Sequence, residues 1–372
     1  MFHVMFALPG LYAIARFLWP LPFALPIKIL LALAILVGSQ YHLACRLTSG
    51  SVFSPEMPRS VIIVFNWAFI SILMLFSLQL LFDLSRVAAR LVSGVTLQIP
   101  VAVSCALACS LLLIAAAGVR NALVVPSVRH VEIYVRGLPI EFSGYSILQL
   151  TDLHISRLFD RRWTEAVVRD ANQIGADLIV VTGDLIDGTL EDRRLDVAPL
   201  KELHASDGIY FITGNHEFFF DHARWLEQAE VLGMSALENR HVVLRRGKGS
   251  LVLAGVTDLT ASETGFPGPD VEEAIAHAPS DSPIVLLDHQ PKRARQAAEM
   301  GIAMQLSGHT HGGLAPGLDR LFAKANGGYV SGLYDVSGMQ LYVSNGTALW
   351  PGFAFRIARP PELTCITLRR EG

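Results

Sequence analysis

Two hydrophobic patterns divide the chain of 372 residues near position 120. Before that position, apolar residues run on with few breaks, and no charged residue falls within residues 60–82 or 91–119. After it, the apolar runs shorten to five or six residues and end in polar loops, and helical stretches separate several of them. The first pattern predicts membrane-spanning helices, and the second predicts a domain in which strands alternate with helices.

Four apolar stretches are candidate spans, because about 20 apolar residues cross the hydrocarbon core of a bilayer as a helix. They lie at approximately residues 2–19, 27–47, 60–82 and 97–119. The first stretch contains Pro9 and Arg16, and whether it spans is left open. It lacks the basic start and the small-residue cleavage site of a signal peptide. We predict an all-α transmembrane bundle over residues 1–125 and a second domain over residues 126–372.

The distribution of charge supports this division and excludes one class of partner. Only eight of the 63 charged residues lie within residues 1–119, and six of the eight are basic. The net charge of −3 at pH 7 gives no reason to expect nucleic-acid binding. With four spans, basic residues flank both membrane faces equally, and Arg136 tips the count toward a cytoplasmic second domain; an extracytoplasmic one is the alternative. The four cysteines form no C-x-x-C motif and give no argument for disulfides or a zinc finger.

The strands of the second domain are predicted from six short β-rich runs, at residues 145–150, 177–182, 208–213, 251–256, 283–287 and 302–306. Helical patterns separate several of these runs, and one of them, residues 161–175, ends in a glycine that favours a helix stop. Two further runs, "QLYVSN" and "PELTCITLRR", have no helix between them. The pattern predicts an α/β domain, built as a sheet sandwich with mixed strand pairing and flanked by helices.

Residues that can bind metals follow the predicted strands at their carboxyl ends. Five blocks, "TDLH", "TGDLID", "TGNHE", "DHQP" and "GHTH", supply Asp152, His154, Asp184, Asp187, Asn215, His216, His289, His309 and His311. Strand carboxyl ends are where α/β sheets place their ligands. His309 and His311 stand two residues apart, so in an extended loop both rings point to the same side. Each block alone has an ordinary structural explanation, such as a turn or a helix cap, but five blocks in order favour one shared site.

The five blocks, in this order, resemble the pattern of the calcineurin-like metallophosphoesterase superfamily: D-x-H, G-D-x-x-D, G-N-H-[DE], a lone His, then G-H-x-H. The resemblance is close over residues 145–312 and covers residues 130–370 in outline. Together with the N-terminal spans, the blocks are similar to the membrane-attached branch of that superfamily. The resemblance implies a metallophosphoesterase-type sheet sandwich and a metal-dependent phosphoric ester hydrolase.

The resemblance also implies a centre with two divalent metal ions, and imidazole together with carboxylate suits Mn, Fe or Zn. One ion would be held by Asp152, His154 and His311, and the other by Asn215, His289 and His309. Asp184 would bridge the two ions. His216 would be the acid beside the phosphoryl group, and Asp187 would accept a hydrogen bond from its second ring nitrogen. For Asp187, a loop-capping role is the alternative.

The function predicted from these features is that of a membrane-anchored phosphoesterase. It would hydrolyse a phosphate ester or a pyrophosphate with metal-activated hydroxide. Tethering at a bilayer favours a lipid-linked substrate, and Phe218, Phe219 and Phe220 follow shortly after His216; the alternative is that these rings pack the next helix. An anchored phosphodiesterase of soluble nucleotides and a non-enzymatic, metal-binding membrane sensor or scaffold also stay open. The expected partners are the substrate and membrane lipids, and no oligomeric state is indicated.

The chain departs from the family pattern in three places, and the last two lie near the expected substrate mouth. Gly188 replaces the arginine that often follows G-D-x-x-D in the protein phosphatases, which argues against that kind of phosphoprotein recognition. Leu314 stands where membrane-attached relatives often have Gln. Residues 344–350, "SNGTALW", replace a more glycine-rich stretch. These differences leave the identity of the substrate open.

Overall fold

The computed structural model describes residues 2–371 and groups them into two compact units. The first unit runs to Asn121 and also includes Pro351–Phe355. The second unit comprises Ala122–Trp350 and the residues from Arg356 onward. The sequence pattern predicts an uninterrupted second domain over residues 126–372, whereas five residues near its end group with the N-terminal helices.

The first unit is helical. Its α-helices are α1 (Phe2–Ala13), α2 (Leu25–Ser39), α3 (Tyr41–Ser49), α4 (Arg59–Ser93) and α5 (Val101–Ala122), and a π-helical segment, Ile14–Leu18, follows α1. By length and composition, α4 and α5 could each cross a membrane. Helices α2 and α3 are bent by 53° and would make a third span if they cross together. The predicted stretch at residues 2–19 forms a shorter apolar helix, so the four-span arrangement remains a prediction.

Helix α4 continues well beyond residue 82, the predicted end of its apolar stretch. Asp83 does not end the helix because several partners satisfy its carboxylate. The carboxylate accepts hydrogen bonds from the Tyr12 hydroxyl at 2.8 Å, from Arg16 Nε at 3.0 Å and from Arg86 Nη1 at 2.9 Å. Intrahelical pairing three residues apart thus supports the last turns of α4.

A buried amide in α4 holds the Pro351–Phe355 segment inside the first unit. The Asn66 side chain donates to the Pro351 carbonyl at 2.9 Å, and its oxygen accepts from the Ala354 amide at 2.8 Å. The Tyr41 hydroxyl donates to the same Pro351 carbonyl at 2.8 Å. These bonds satisfy backbone groups that would otherwise be buried without partners.

The second unit contains two six-stranded mixed sheets. Their strands are β1 (Ser127–Val135), β2 (Ser146–Leu150), β3 (Leu178–Thr182), β4 (Ile209–Ile212), β5 (Ser235–Ala236), β6 (Arg240–Arg246), β7 (Gly249–Gly255), β8 (Ile284–Leu287), β9 (Met304–Ser307), β10 (Gly332–Val336), β11 (Met339–Val343) and β12 (Glu362–Arg370). The strand order is β1-β12-β2-β3-β4-β5 in one sheet and β10-β11-β9-β8-β7-β6 in the other. Both sheets combine parallel and antiparallel pairs, as predicted.

One buried cluster joins the two sheets. It includes Ile147 and Val180 from the first sheet and Leu253 and Leu306 from the second. The α-helices of this unit are α6 (Arg161–Ile174), α7 (Leu190–Val197), α8 (Asn215–Phe219), α9 (His222–Val231), α10 (Val271–Ile275), α11 (Ala294–Glu299) and α12 (Asp319–Ala325). The predicted sheet sandwich with flanking helices is therefore confirmed.

The pairing of the central strands positions the site loops. Strands β2, β3 and β4 are parallel to one another, and so are β7, β8 and β9. Within each set, the carboxyl ends share one edge of the sheet. The loops that leave those ends carry the residues of the five blocks.

Candidate metal centre

The strand-end loops bring the predicted ligand residues together. Groups of His and Asp side chains whose ligand atoms lie within 4.8 Å of one another comprise Asp152 with His154 and His311, Asp184 with His289 and His309, and His154 with Asp184 and His216. The first two groups coincide with the histidine and aspartate members of the two predicted metal subsites. Asn215 joins the second group, because its Oδ1 lies 2.9 Å from His309 Nδ1. These clusters fit a dinuclear metal site.

Asp184 lies between the two subsites. Its Oδ2 atom is 3.7 Å from His154 Nε2 and 3.3 Å from His289 Nε2. Burial alone would raise the pKa of Asp184, but the imidazoles of His289 and His216 outweigh it and hold that pKa well below its ordinary value. An ionised carboxylate in this position can serve both subsites.

The imidazoles of His154 and His289 point buried nitrogen atoms toward Asp184. His154 uses Nδ1 to contact Asp187 Oδ2 at 3.0 Å, and His289 Nδ1 lies 2.8 Å from the Thr182 carbonyl. The Nε2 atoms of both rings are buried and have no hydrogen-bond partner among the described residues. Metal-binding histidines typically donate their other ring N–H to a carboxylate or a carbonyl. The two rings therefore fit a metal ion.

The two histidines of the "GHTH" block both have lowered pKa values. Burial, with a contribution from His289, lowers the pKa of His309 to about 4. Burial also lowers the pKa of His311 well below its ordinary value. A neutral imidazole is the form that ligates a metal.

The backbone is strained at five of the seven predicted ligands. The φ angles are 54° at Asp152, 43° at His154, 53° at Asp184, 68° at His309 and 49° at His311. Asp and His enter this left-handed region more readily than most residues, yet it still costs about 1–3 kcal/mol per residue. Such strain persists where the surrounding structure imposes it, and it concentrates at functional sites.

Two of the glycines that precede ligand residues permit close backbone approaches. A Cβ atom on Gly214 would collide with the Asp184 carboxylate, and one on Gly308 would collide with Thr151 and Asp152. Neither glycine can be replaced without moving a carboxylate of the site.

Asp187 contacts two histidines of the centre. Its Oδ1 makes a short contact with His216 Nδ1, the hydrogen bond expected from the sequence, and its Oδ2 contacts His154 Nδ1. The second contact is not predicted by the sequence. Burial alone would lower the pKa of His216, but the carboxylates of Asp184 and Asp187 outweigh it and raise that pKa to about 9.

Glu217 is a buried residue, and the sequence pattern predicts no role for it. Its carboxylate accepts hydrogen bonds from the amides of Asp184 at 3.1 Å, Leu185 at 2.7 Å and Gly214 at 2.6 Å. Burial, and then the charge of Asp184, raises the pKa of Glu217 to about 7. Glu217 thus ties the turn after β3 to the turn after β4. The acid that ends the "GNHE" block is the signal that could have indicated it.

The three phenylalanines after His216 have different environments. Phe218 is buried and stacks on His222, with ring centroids 4.3 Å apart, and Phe220 is also buried. Phe219 is 41% exposed, and its ring centroid lies 5.2 Å from that of His216. Two rings therefore pack the structure, and one exposed ring borders the site.

Comparison with known proteins gives the family. Residues 145–313 match the family described as calcineurin-like phosphoesterase. A Danio rerio protein named "Transmembrane protein with metallophosphoesterase domain" is 36% identical over 262 residues, which is 68% of this chain and 60% of that protein. An uncharacterized metallophosphoesterase of Helicobacter pylori is 33% identical over 253 residues, which is 68% of this chain and 66% of that protein.

One solved structure among those with a similar fold is the NAD nucleotidase of Haemophilus influenzae. The match has 18% identity and a TM-score of 0.37, and it covers 55% of this chain and 45% of that one. The alignments to the Danio rerio and Helicobacter pylori relatives span 60% and 66% of their lengths. The matched family and these relatives confirm the predicted class: the chain belongs to the calcineurin-like metallophosphoesterases.

Proposed function

We propose that the protein is a membrane-anchored phosphoesterase whose centre holds two divalent metal ions. The observation that carries the proposal is the pair of donor clusters that meet at Asp184. The buried Nε2 atoms of His154 and His289, which have no hydrogen-bond partner among the described residues, also support it. When bound, two such ions would activate a water molecule and neutralise charge on a phosphate ester.

The proposal assigns the ligands as the sequence resemblance implies. One subsite is formed by Asp152, His154 and His311, and the other by Asn215, His289 and His309. Asp184 belongs to both. This set of imidazole, carboxylate and amide donors suits Mn, Fe or Zn.

His216 is the proposed acid of the reaction. The contact of its Nδ1 with Asp187 leaves Nε2 directed toward the site, 4.0 Å from Asp184 Oδ2. A proton held on Nε2 could pass to the leaving oxygen of the ester. In this proposal, Asp187 orients both His216 and His154.

We further propose a lipid-linked phosphate or pyrophosphate as the substrate. Helices α4 and α5 are long and apolar enough to cross a membrane, and the Danio rerio relative is named as a transmembrane protein. The exposed ring of Phe219 beside His216 offers an apolar surface next to the reacting phosphate. We also propose that the catalytic domain faces the cytoplasm.

Membrane attachment and orientation can be tested directly. The full chain should stay in the membrane fraction after an alkaline carbonate wash. In a variant whose four native cysteines are replaced by serine, a single cysteine introduced at the exposed Glu227 should react with a membrane-impermeant thiol reagent only when the cytoplasmic face is accessible. Release by carbonate, or labelling from the opposite face, would contradict this part of the proposal.

The hydrolytic activity is tested with purified full chain in detergent. With Mn²⁺, it should hydrolyse an aryl phosphodiester, and Asn215→Ala or His309→Ala should abolish turnover. His204→Ala is the matched control, because His204 is exposed and lies outside the clusters. Faster hydrolysis of soluble nucleotides than of lipid-linked phosphates would favour the soluble-substrate alternative. No hydrolysis with several metals and both substrate classes would favour the non-enzymatic scaffold.

A further inference from the structure

Arg356 is a fully buried cation in the second unit. Its Nη1 donates to the carbonyls of His311 at 3.1 Å and Arg359 at 3.3 Å, and its Nη2 donates to those of Asn345 at 2.6 Å and Ala348 at 2.7 Å. No carboxylate lies within ion-pair distance of it among the described residues. Burying a guanidinium with no carboxylate in direct contact costs free energy, because the charge is removed from water. The four backbone hydrogen bonds offset part of that cost.

Residues 344–348, here called the 344–348 loop, lie against two predicted metal ligands. The Thr347 amide donates to the Thr151 carbonyl at 2.8 Å, and the Ala348 amide donates to the Asp152 carbonyl at 2.9 Å. A Cβ atom on Gly346 would lie 3.0 Å from Asp152 Cβ and 3.1 Å from His311 Nδ1. The loop therefore packs directly on Asp152 and His311.

The guanidinium of Arg356 links that loop to the strained segment around His311. One terminal nitrogen reaches the carbonyl of His311, where φ is 49°, while the other reaches two carbonyls of the 344–348 loop. A planar fork can span several acceptors at once, whereas a lysine ammonium donates from a single atom. This geometry depends on the fork and not on charge alone.

We propose that Arg356 is a positioning residue that ties His311 to the 344–348 loop and thereby sets the Asp152–His154–His311 subsite for its metal. The inference rests on the proposed dinuclear centre. Among the described residues, Arg356 makes no hydrogen bond to His289, His309 or Asn215. Its loss should therefore weaken one metal subsite and spare the other.

The test is a Mn²⁺ titration of the metal-stripped full chain in detergent. Electron paramagnetic resonance measures the concentration of the free ion at each step. The unmodified chain should bind two equivalents. Arg356→Lys should bind one equivalent with unchanged affinity and the second at least about tenfold more weakly, the usual range for loss of a group that orients a ligand. Arg359→Gln is the control: the Arg359 side chain pairs with Asp319, and Arg356 uses only its carbonyl.

Arg356→Gln separates positioning from electrostatics. Removal of a positive charge near the Asp152–His154–His311 subsite should by itself strengthen cation binding there, because like charges repel. Weaker binding at one site in Arg356→Gln therefore supports positioning. Unchanged affinity at both sites, or equal weakening of both, would show that the inference is wrong.

Two further measurements are made: the fold of each variant, and Mn²⁺ binding by the unmodified chain. Circular dichroism of each variant in Mn²⁺ reports the fold. If neither Arg356 variant folds, the residue serves the whole domain and the inference is wrong. If the unmodified chain binds no Mn²⁺, the proposed metal centre itself fails, which is a different outcome from two intact sites in the variants.

Discussion

His216 is the residue at which acid catalysis and metal binding can be told apart. We expect His216→Asn to retain its metal content and to lose turnover about 10²-fold or more, the usual contribution of a general acid. Metal analysis and steady-state hydrolysis of an aryl phosphodiester measure the two effects. The test can distinguish the two roles, because His216 also forms a potential donor cluster with His154 and Asp184. Loss of metal in parallel with activity would make His216 a ligand instead.

Glu217 carries a prediction about stability. Its carboxylate accepts three backbone amides in a fully buried position, and glutamine would offer one acceptor oxygen and a competing NH₂ group. We expect Glu217→Gln to lower the free energy of unfolding by about 1–3 kcal/mol, because it leaves a buried backbone amide without its acceptor. A thermal melt of the metal-free protein measures this change. Glu227→Gln, on the exposed face of α9, should leave the melting temperature unchanged; an equal loss in both would contradict the assignment.

At the residue scale, the sequence predicted which side chains come together but not all of the contacts that hold them. The donors in the five blocks are visible because His, Asp and Asn follow apolar runs. The link from Asp187 to His154 spans 33 residues and depends on where two separate loops meet. The contacts of Arg356 with its loop partners depend on folding in the same way.

At the element scale, burial decides which strands can be predicted. The eight strands that the sequence predicts are the eight central strands of the two sheets, and the four that it misses, β1, β5, β6 and β10, are the four edges. Strand β6 shows the reason: it reads "RHVVLRR" and is mostly exposed or half-buried. An edge strand has only one neighbour and needs no continuous apolar run.

At the element scale, the buried hydrogen bonds of Asn66 in α4 give a testable prediction. Asn66→Leu removes the hydrogen bonds to Pro351 and Ala354 from the interior of the first unit. We expect a stability loss of about 1–2 kcal/mol, the upper part of the range measured for polar contacts between membrane helices. A thermal melt in detergent measures it. Ser77→Ala, an exposed position on the same helix that bonds only within it, should have little effect. A melting temperature unchanged in Asn66→Leu would show that these bonds contribute little.

For the whole molecule, the proposed centre couples metal binding to stability. Several ligands sit in left-handed backbone conformations, and two carboxylates are buried together, so a metal-free centre is strained. A ligand that binds only the folded state at 100 times its dissociation constant stabilises it by about 2.7 kcal/mol. We therefore expect chelation to lower the melting temperature and Mn²⁺ to restore it.

Asp184→Asn is the variant that checks this coupling. It removes the negative charge that both subsites share, and it should lose most of the Mn²⁺-dependent rise in melting temperature. His204→Asn, outside the clusters, should keep that rise. A rise of the same size in Asp184→Asn and in the unmodified chain would mean that Mn²⁺ acts elsewhere.

The sequence by itself determined the family, the candidate donor residues and the apolar helices, because each of these depends on local order: spaced blocks, strand periodicity and long uncharged runs. Only the tertiary structure decided which strands form the edges, and that Asp187 contacts His154 as well as His216. It also decided that Pro351–Phe355 groups with the N-terminal helices. The physical reason is that these features depend on strand order and on contacts between residues far apart in the chain. Apolar periodicity records whether a residue is buried, but it does not record the partner against which that residue is buried.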